Sequence, residues 1–359
     1  MTITRSDNDE RKSLGSVKSC LVMTMAVAVC LCAREFSSAA EAIEPCIASG
    51  GNFDPASPQR DEKIRHFEFE YASKAVRLKP GSNVRVWLPI PPSNQHQSVS
   101  VKASRFPAKA TTAREPEYGN CIVHFETNVP KNGEVSFAIT YDVTRAEVKA
   151  LGRDGQELSK EERRLFLKAN RLVPTSGRPL DLLKGITAPG DQLGLGRFLY
   201  ERVDQHMKYD KSRPGYGNGD SVWACDSQFG NCTDFHSLFI SLARAKGLPA
   251  RFEIGFPIPD SRGKGTIGGY HCWAFFHTDK HGWVPTDISE ADKHPEMKDY
   301  YFGNLTENRV AFSAGRDVNL IPRQSGEPLN FFVYPYIEVD GKPLAKDNME
   351  NAFRYADAD

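Results

Sequence analysis

One helix constrains this sequence more than any other feature. Phe235, Leu238, Phe239, Leu242 and Ala243 recur at the i, i+3, i+4, i+7 and i+8 spacing of an apolar helical face. Gly247 stands where a helix end favours glycine, and Pro249 bars its continuation. At the other end Cys232 follows Gly230 and Asn231, which sets a thiol at the helix N-terminus. Unpaired N–H groups there carry partial positive charge and favour the thiolate, the nucleophilic form of cysteine. Gly230 lets the chain turn sharply into the helix and approach a substrate closely. A lone cysteine so placed is more often a buried structural residue, so its partners decide the reading.

Those partners lie in two β-compatible segments after the helix, 270–277 and 283–288, joined by a turn at 279–282. His271, Trp273 and Phe275 share one face of the first, and Trp283, Pro285 and Asp287 share one face of the second. A hairpin loop centred on Asp279 sets His271 directly opposite Asp287, within reach of an imidazole–carboxylate hydrogen bond. Nucleophile, base and orienting carboxylate together are the requirement of covalent acyl transfer.

Four motifs now stand in order: Gly230-Asn231-Cys232-Thr233-Asp234-Phe235, Gly247-Leu248-Pro249-Ala250-Arg251, His271-Cys272-Trp273-Ala274 and Gly282-Trp283-Val284-Pro285-Thr286-Asp287. With 39 residues from Cys to His and 16 from His to Asp, this series resembles the transglutaminase-like superfamily across residues 195–320. The resemblance implies an α+β, papain-like core in which the cysteine helix packs on an antiparallel sheet. It also implies that Cys232, His271 and Asp287 take the three catalytic roles. One departure is Phe275, where many relatives carry a carboxylate two residues after the tryptophan; that position is taken as structural.

Neighbouring residues have plainer readings. Asp234 in the first turn suits the helix dipole, and its charge opposes thiolate formation. His236 falls off the apolar stripe and is expected at the surface or in a local hydrogen bond. Trp273, Phe275 and Phe276 are expected as core. The Cys232 N–H is a candidate oxyanion donor, and Gln228, Asn231 and Trp223 are candidates for a second. Cys225, Cys232, His236, His271 and Cys272 do not follow a usual zinc spacing, so neither metal nor cofactor is expected. A Cys225–Cys272 disulfide is a further expectation.

The rest of the chain sets the context. Arg5, Arg11, Lys12 and Lys18 precede an apolar run at 20–33, and Ala40-Glu41-Ala42 offers a cleavage site. Residues 1–42 therefore read as a secretory signal, with an uncleaved anchor as the alternative. Residues 43–62 read as a flexible tail and 63–150, with alternating short strands, as an all-β sandwich-like domain. Residues 151–192 read as a helical or irregular connection opened by the capping box of Ser159 and Glu162, 193–340 as the catalytic domain, and 341–359 as a polar tail. The formal net charge is zero, which gives no support to nucleic-acid binding. The expectation is a secreted or periplasmic thiol enzyme acting on amide bonds of proteins or peptides, without a stable membrane span. A non-catalytic binding or assembly module that keeps the fold is the alternative.

Overall fold

The structure is a computed structural model, and it describes residues 62–152 and 154–358 together with Ile43, Cys46 and Ile47. The expected signal at 1–42 lies outside the described residues. Fourteen strands and five helices carry the description that follows. The strands are β1 Ile64–Ala75, β2 Asn83–Ile90, β3 Gln97–Arg105, β4 Thr111–Arg114, β5 Cys121–Asn128, β6 Val135–Ala146, β7 Ala250–Pro257, β8 Lys264–Ile267, β9 His271–Thr278, β10 Gly282–Thr286, β11 Arg309–Ala314, β12 Tyr336–Val339, β13 Lys342–Pro343 and β14 Met349–Asp357. The helices are α1 Lys160–Leu167, α2 Gln192–His206, α3 Ser221–Ser227, α4 Cys232–Ala245 and α5 Ile288–Lys293.

Two five-stranded antiparallel sheets form the first layer pair, in the orders β8-β14-β1-β6-β3 and β13-β12-β2-β5-β4. Alternation builds the first of them through β1 and β6. In β1 every second residue, including Phe67, Phe69 and Tyr71, is buried, and β6 repeats this with Phe137, Ile139, Tyr141 and Val143. Phe125 of β5 meets Phe137 of β6 at 5.4 Å between ring centroids, so the buried faces of the two sheets oppose each other.

A four-stranded antiparallel sheet, β10-β9-β7-β11, forms the second half, with α4 packed on it. Every residue of α4 from Cys232 to Arg244 is buried. Such a helix must satisfy its polar side chains internally. Ser237 accepts from the buried Arg316 guanidinium at 2.5 Å, and Arg244 donates to Ala250 O, Lys168 O and Asn170 Oδ1.

The two halves share one core. Phe256 of β7 packs on Phe69 of β1 at 5.2 Å and on Phe353 of β14 at 4.4 Å. Gln97, at the edge of one sheet, pairs with the edge of the other: its Nε2 donates to Ala311 O at 3.0 Å and its Oε1 accepts from Ala311 N–H at 2.9 Å.

Three expectations change. Within the expected tail 341–359, Met349–Asp357 is a strand that pairs with nine residues of β1, from Phe67↔Asp357 to Ala75↔Met349. Its apolar members Phe353 and Tyr355 are buried, which the polar composition around them concealed. Within the expected flexible tail 43–62, Ile43 and Ile47 are buried and Cys46 is disulfide-bonded to Cys121. Cys225 and Cys272 are free thiols, so the expected bridge between them is not made.

Candidate active site

The site begins with the cap of α4. Asn231 is the N-cap residue, and its Oδ1 accepts from Thr233 N–H at 2.9 Å. Asp234 completes a capping box by accepting from Asn231 N–H at 3.0 Å. The same carboxylate accepts from Gly217 N–H at 2.7 Å and Gly219 N–H at 2.9 Å, which ties the loop before α3 to the helix start. Gly230 permits this, because a Cβ there would meet Asp234 Oδ2 at 2.5 Å. The glycine therefore makes room for the cap rather than for a substrate. Cys232, the first helical residue, is 3% exposed and borders a groove of about 740 Å³.

His271 opens β9, where that strand passes the start of α4. Its Nε2 lies 2.7 Å from Asp287 Oδ2, which leaves Nδ1 for the Cys232 thiol, whose ionisation the imidazole shifts. The partnership expected from sequence is present, but its register is not the expected one. Thr278 faces Gly282 across a three-residue loop centred on Lys280, not Asp279, and the ladder ends at Ala274↔Thr286. Asp287 is thus not opposite His271. It leaves the sheet as the N-cap of α5, with Oδ1 accepting from Glu290 N–H at 3.2 Å, and reaches back to the histidine from there.

Residues 182–288 match the family described as the transglutaminase-like superfamily. The chain carries a transglutaminase-like core. An uncharacterized protein of Haemophilus influenzae is 36% identical over 215 residues, which is 50% of this chain and 58% of that protein. The chain thus matches little more than half the length of that relative. Among solved structures, a candidate cysteine protease from Cytophaga hutchinsonii aligns with TM-score 0.48 at 13% identity, covering 83% of this chain and 99% of that one. The periplasmic domain of TgpA from Pseudomonas aeruginosa aligns with TM-score 0.35 at 14% identity, covering 65% of this chain and 90% of that one.

The transglutaminase-like core sets strong local fields. Burial alone lowers the His271 imidazole, but the charge and hydrogen bond of Asp287, with the Cys232 thiol, outweigh it and push His271 up to about 10. Burial alone raises the Cys232 thiol, but contact with Cys272 and His271 and the charge of His271 hold it well below its usual range. Asp287 is buried, yet His271 and then Arg309, whose Nη1 donates to Oδ2 at 3.1 Å, hold it below the usual carboxylate range. A thiolate–imidazolium pair backed by a carboxylate is the resulting charge state. Burial raises Asp234 to about 6, against its three backbone donors, so at neutral pH it stays largely ionised and still opposes the thiolate.

Two partners of the site were missed. His236 is fully buried, not at the surface, and its Nε2 accepts from Ile288 N–H at 3.0 Å. Burial lowers it to about 4, so it is a neutral ring carrying its proton on Nδ1. Its spacing of four residues from Cys232 puts both on one helix face, a signal the sequence did hold. Arg309 lies 22 residues beyond Asp287 on β11, and no local pattern marks it. Phe275 lies under the Arg251 guanidinium, which stands 4.5 Å from the ring centroid, while Glu253 on the neighbouring strand accepts from Trp273 Nε1 at 2.7 Å.

Asn231 lines the groove, but its Nδ2 donates to the Tyr270 hydroxyl at 3.1 Å; Gln228 and Trp223 lie outside the lining. Among the described residues, His271, Asp287 and Glu290 bring ligand-type atoms within 4.8 Å of one another. The His271 Nε2 in that group is engaged by Asp287. Tyr209, Tyr216, Tyr270, Phe331 and Tyr334 wall the groove, and Lys211 and Lys346 stand in its lining.

Proposed function

We propose that this chain is a secreted or periplasmic thiol enzyme that acts on amide bonds of proteins or peptides through Cys232, His271 and Asp287 and a covalent acyl-enzyme. The observation that carries the reading is the chain of contacts from Asp287 through His271 to a thiol opening on an aromatic-walled groove. The Cys232 sulfur attacks the amide carbonyl carbon, and the oxyanion forms beside the Cys232 N–H at the start of α4. His271 gives its Nδ1 proton to the departing nitrogen, and the amine or ammonia leaves a thioester. Water or a second amine then yields a proton to Nδ1 and attacks the thioester, which expels the thiolate. Water gives hydrolysis and an amine gives transamidation. Asp287 holds the ring at Nε2 throughout and keeps Nδ1 toward the sulfur.

Location outside the cytoplasm is supported by the charged and apolar leader and by the Cys46–Cys121 disulfide, since such bridges persist in oxidising compartments. No helix among the described residues is long and apolar enough to cross a membrane.

The test is the pH dependence of alkylation at each free cysteine, read by mass spectrometry in the wild type and in His271→Ala. Cys232 is expected to react rapidly well below the ordinary thiol value of about 8.5, and to lose that advantage without His271. Cys225 and Cys272 serve as buried references. An inert Cys232, or one that behaves alike in both proteins, overturns the enzyme reading and leaves a binding module with this fold. With a reactive Cys232 in hand, peptide amides offered with and without a primary amine separate hydrolysis from transamidation by product mass.

A further inference from the structure

Cys232 is not the only sulfur at the start of α4. Cys272 follows His271 on β9, and strand alternation turns it toward the helix. It is fully buried, with Sγ 3.6 Å from His236 Nδ1 and 3.9 Å from the hydroxyl of Thr233, the residue next to the nucleophile. Cys272 also stands close enough to the Cys232 thiol for each to shift the other's ionisation. The acyl-transfer steps use only one of these two sulfurs.

Their surroundings divide the labour between them. Cys232 borders the groove, whereas Cys272 does not line it, so a small oxidant meets Cys232 first. The Cys232 thiol is held low by His271 and its neighbours, whereas burial and the nearby Cys232 charge raise Cys272 well above its usual range. Oxidation follows thiolate character and access, and both select Cys232. A sulfenic acid formed there lies against a second, unoxidised thiol. The third free thiol, Cys225, makes its contact with Arg178 O instead, at 3.7 Å.

We propose that Cys272 is a resolving thiol for Cys232, trapping the oxidised nucleophile as a Cys232–Cys272 disulfide that closes the site reversibly. This rests on the reading of Cys232 as the reactive thiol. The oxidant is a hydroperoxide, with hydrogen peroxide as the probe. The Cys232 sulfur attacks one peroxide oxygen and the O–O bond breaks. Cys232 becomes a sulfenic acid, and the departing hydroxide takes the proton of the His271 imidazolium and leaves as water. The Cys272 sulfur then attacks the sulfenic sulfur. The S–S bond forms, the S–O bond breaks, and the second hydroxide leaves as water with the proton that Cys272 gives up. Two thiols lose two electrons and two protons, and one peroxide becomes two waters. Without such a partner the sulfenic acid proceeds to sulfinic and sulfonic acids, which ordinary thiols do not reverse. A nucleophile working where the Cys46–Cys121 bridge persists is exposed to that loss.

The experiment exposes the full-length mature protein to hydrogen peroxide, maps each cysteine by mass spectrometry, and measures Cys232 alkylation before and after mild dithiothreitol. The wild type is expected to lose two hydrogens, to yield a cross-linked Cys232–Cys272 peptide pair, and to regain nearly all alkylation on reduction. In Cys272→Ala, Cys232 is expected to gain two or three oxygens and to lose that recovery. Cys225→Ala should match the wild type. If Cys272→Ala does not fold, the cross-link in the wild type decides alone. Sulfinic or sulfonic Cys232 in the wild type without a cross-link overturns the resolving role and leaves the nucleophile reading standing. A Cys272→Ala protein that recovers as the wild type does overturns it equally. A wild-type Cys232 that takes up neither oxygen nor a cross-link overturns both readings.

Discussion

Asp287 does two things with two oxygens. Oδ2 holds His271 Nε2 at 2.7 Å, while Oδ1 caps α5 by accepting from Glu290 N–H and Ser289 Oγ, each at 3.2 Å. Asp287→Asn keeps an oxygen for the cap and removes the charge behind the histidine. The cap should survive, because an Asn cap is nearly as good as Asp. Turnover should fall by roughly 10³–10⁴ in kcat, because the ring loses its tautomer and its counter-charge together. The pH profile should change in a defined sense. With Asp287 present, His271 is raised to about 10, so its contribution to folded stability is complete below its ordinary value of about 6.5 and fades as pH rises toward 10. Asp287 is depressed, so its own contribution is complete above about 4 and fades only as pH falls further into acid. The thiolate–imidazolium pair therefore spans neutral pH and titrates as a unit. Without the carboxylate, only the contact and charge of Cys232 oppose burial at His271, and the basic limb of the rate profile should move to lower pH. A variant that keeps its basic limb near 10 would show that Asp287 does not set the charge of this histidine. Cys232, His271 and Asp287 were legible as a group because each sits in a short local pattern, and the fold brings His271 and Asp287 to 2.7 Å. Arg309 was not, because that pairing joins strands whose adjacency no local pattern encodes.

At the scale of elements, alternation and periodicity carried the reading, and register did not. The aromatic–polar alternation of β1 and the apolar stripe of α4 are visible in the residues and hold in the fold. The hairpin β9–β10 was visible too, but a one-residue shift of its loop centre moved Asp287 off the ladder and into a helix cap. Turn chemistry at Asp279-Lys280-His281 does not separate these choices. Gln97 is a second element-scale device that no pattern announces. Edge strands carry unpaired backbone groups, and here one buried amide satisfies both the N–H and the C=O of Ala311. It also accepts from buried Arg145 Nη1 at 3.1 Å. Gln97→Leu removes these three bonds and a fourth, from Nε2 to Pro92 O at 2.7 Å, while leaving the volume similar. Each orphaned buried group costs about 1–3 kcal/mol, so a loss of roughly 3–5 kcal/mol is expected in urea unfolding at an unchanged m-value. A loss below about 1 kcal/mol would mean that water or a shifted strand replaces the amide.

At the scale of the whole molecule, the two halves are joined by chain that returns rather than by a linker. The C-terminal strand β14 lies between β1 and β8, so the first sheet holds residues from both ends of the described chain and from the transglutaminase-like half. Asp357 binds the Arg65 guanidinium through two bonds, at 2.7 and 3.1 Å, and Arg65 is 1% exposed. Met349 and Asn351, from the same strand, stand in the wall of the groove beside Cys232. A chain ending at Asn348 therefore loses nine strand pairs with β1 and four with β8, leaves a buried arginine without its carboxylate, and bares one edge of β1 along its length. Breaking a buried pair costs roughly 3–5 kcal/mol by itself, and a long exposed edge invites association. The expected outcome is an aggregated or unfolded product in thermal melts and size-exclusion chromatography, while a chain ending at Asp357 keeps every strand pair and behaves as the wild type. Should the Asn348 truncation melt where the full chain does, β14 is an appendage and the single core is an overstatement. Should it fold but bind peptide amides poorly while Cys232 still alkylates readily, the strand serves the groove more than the fold. That split would place substrate recognition on the β-sheet half and bond cleavage on the helix half, with the groove as the seam between them.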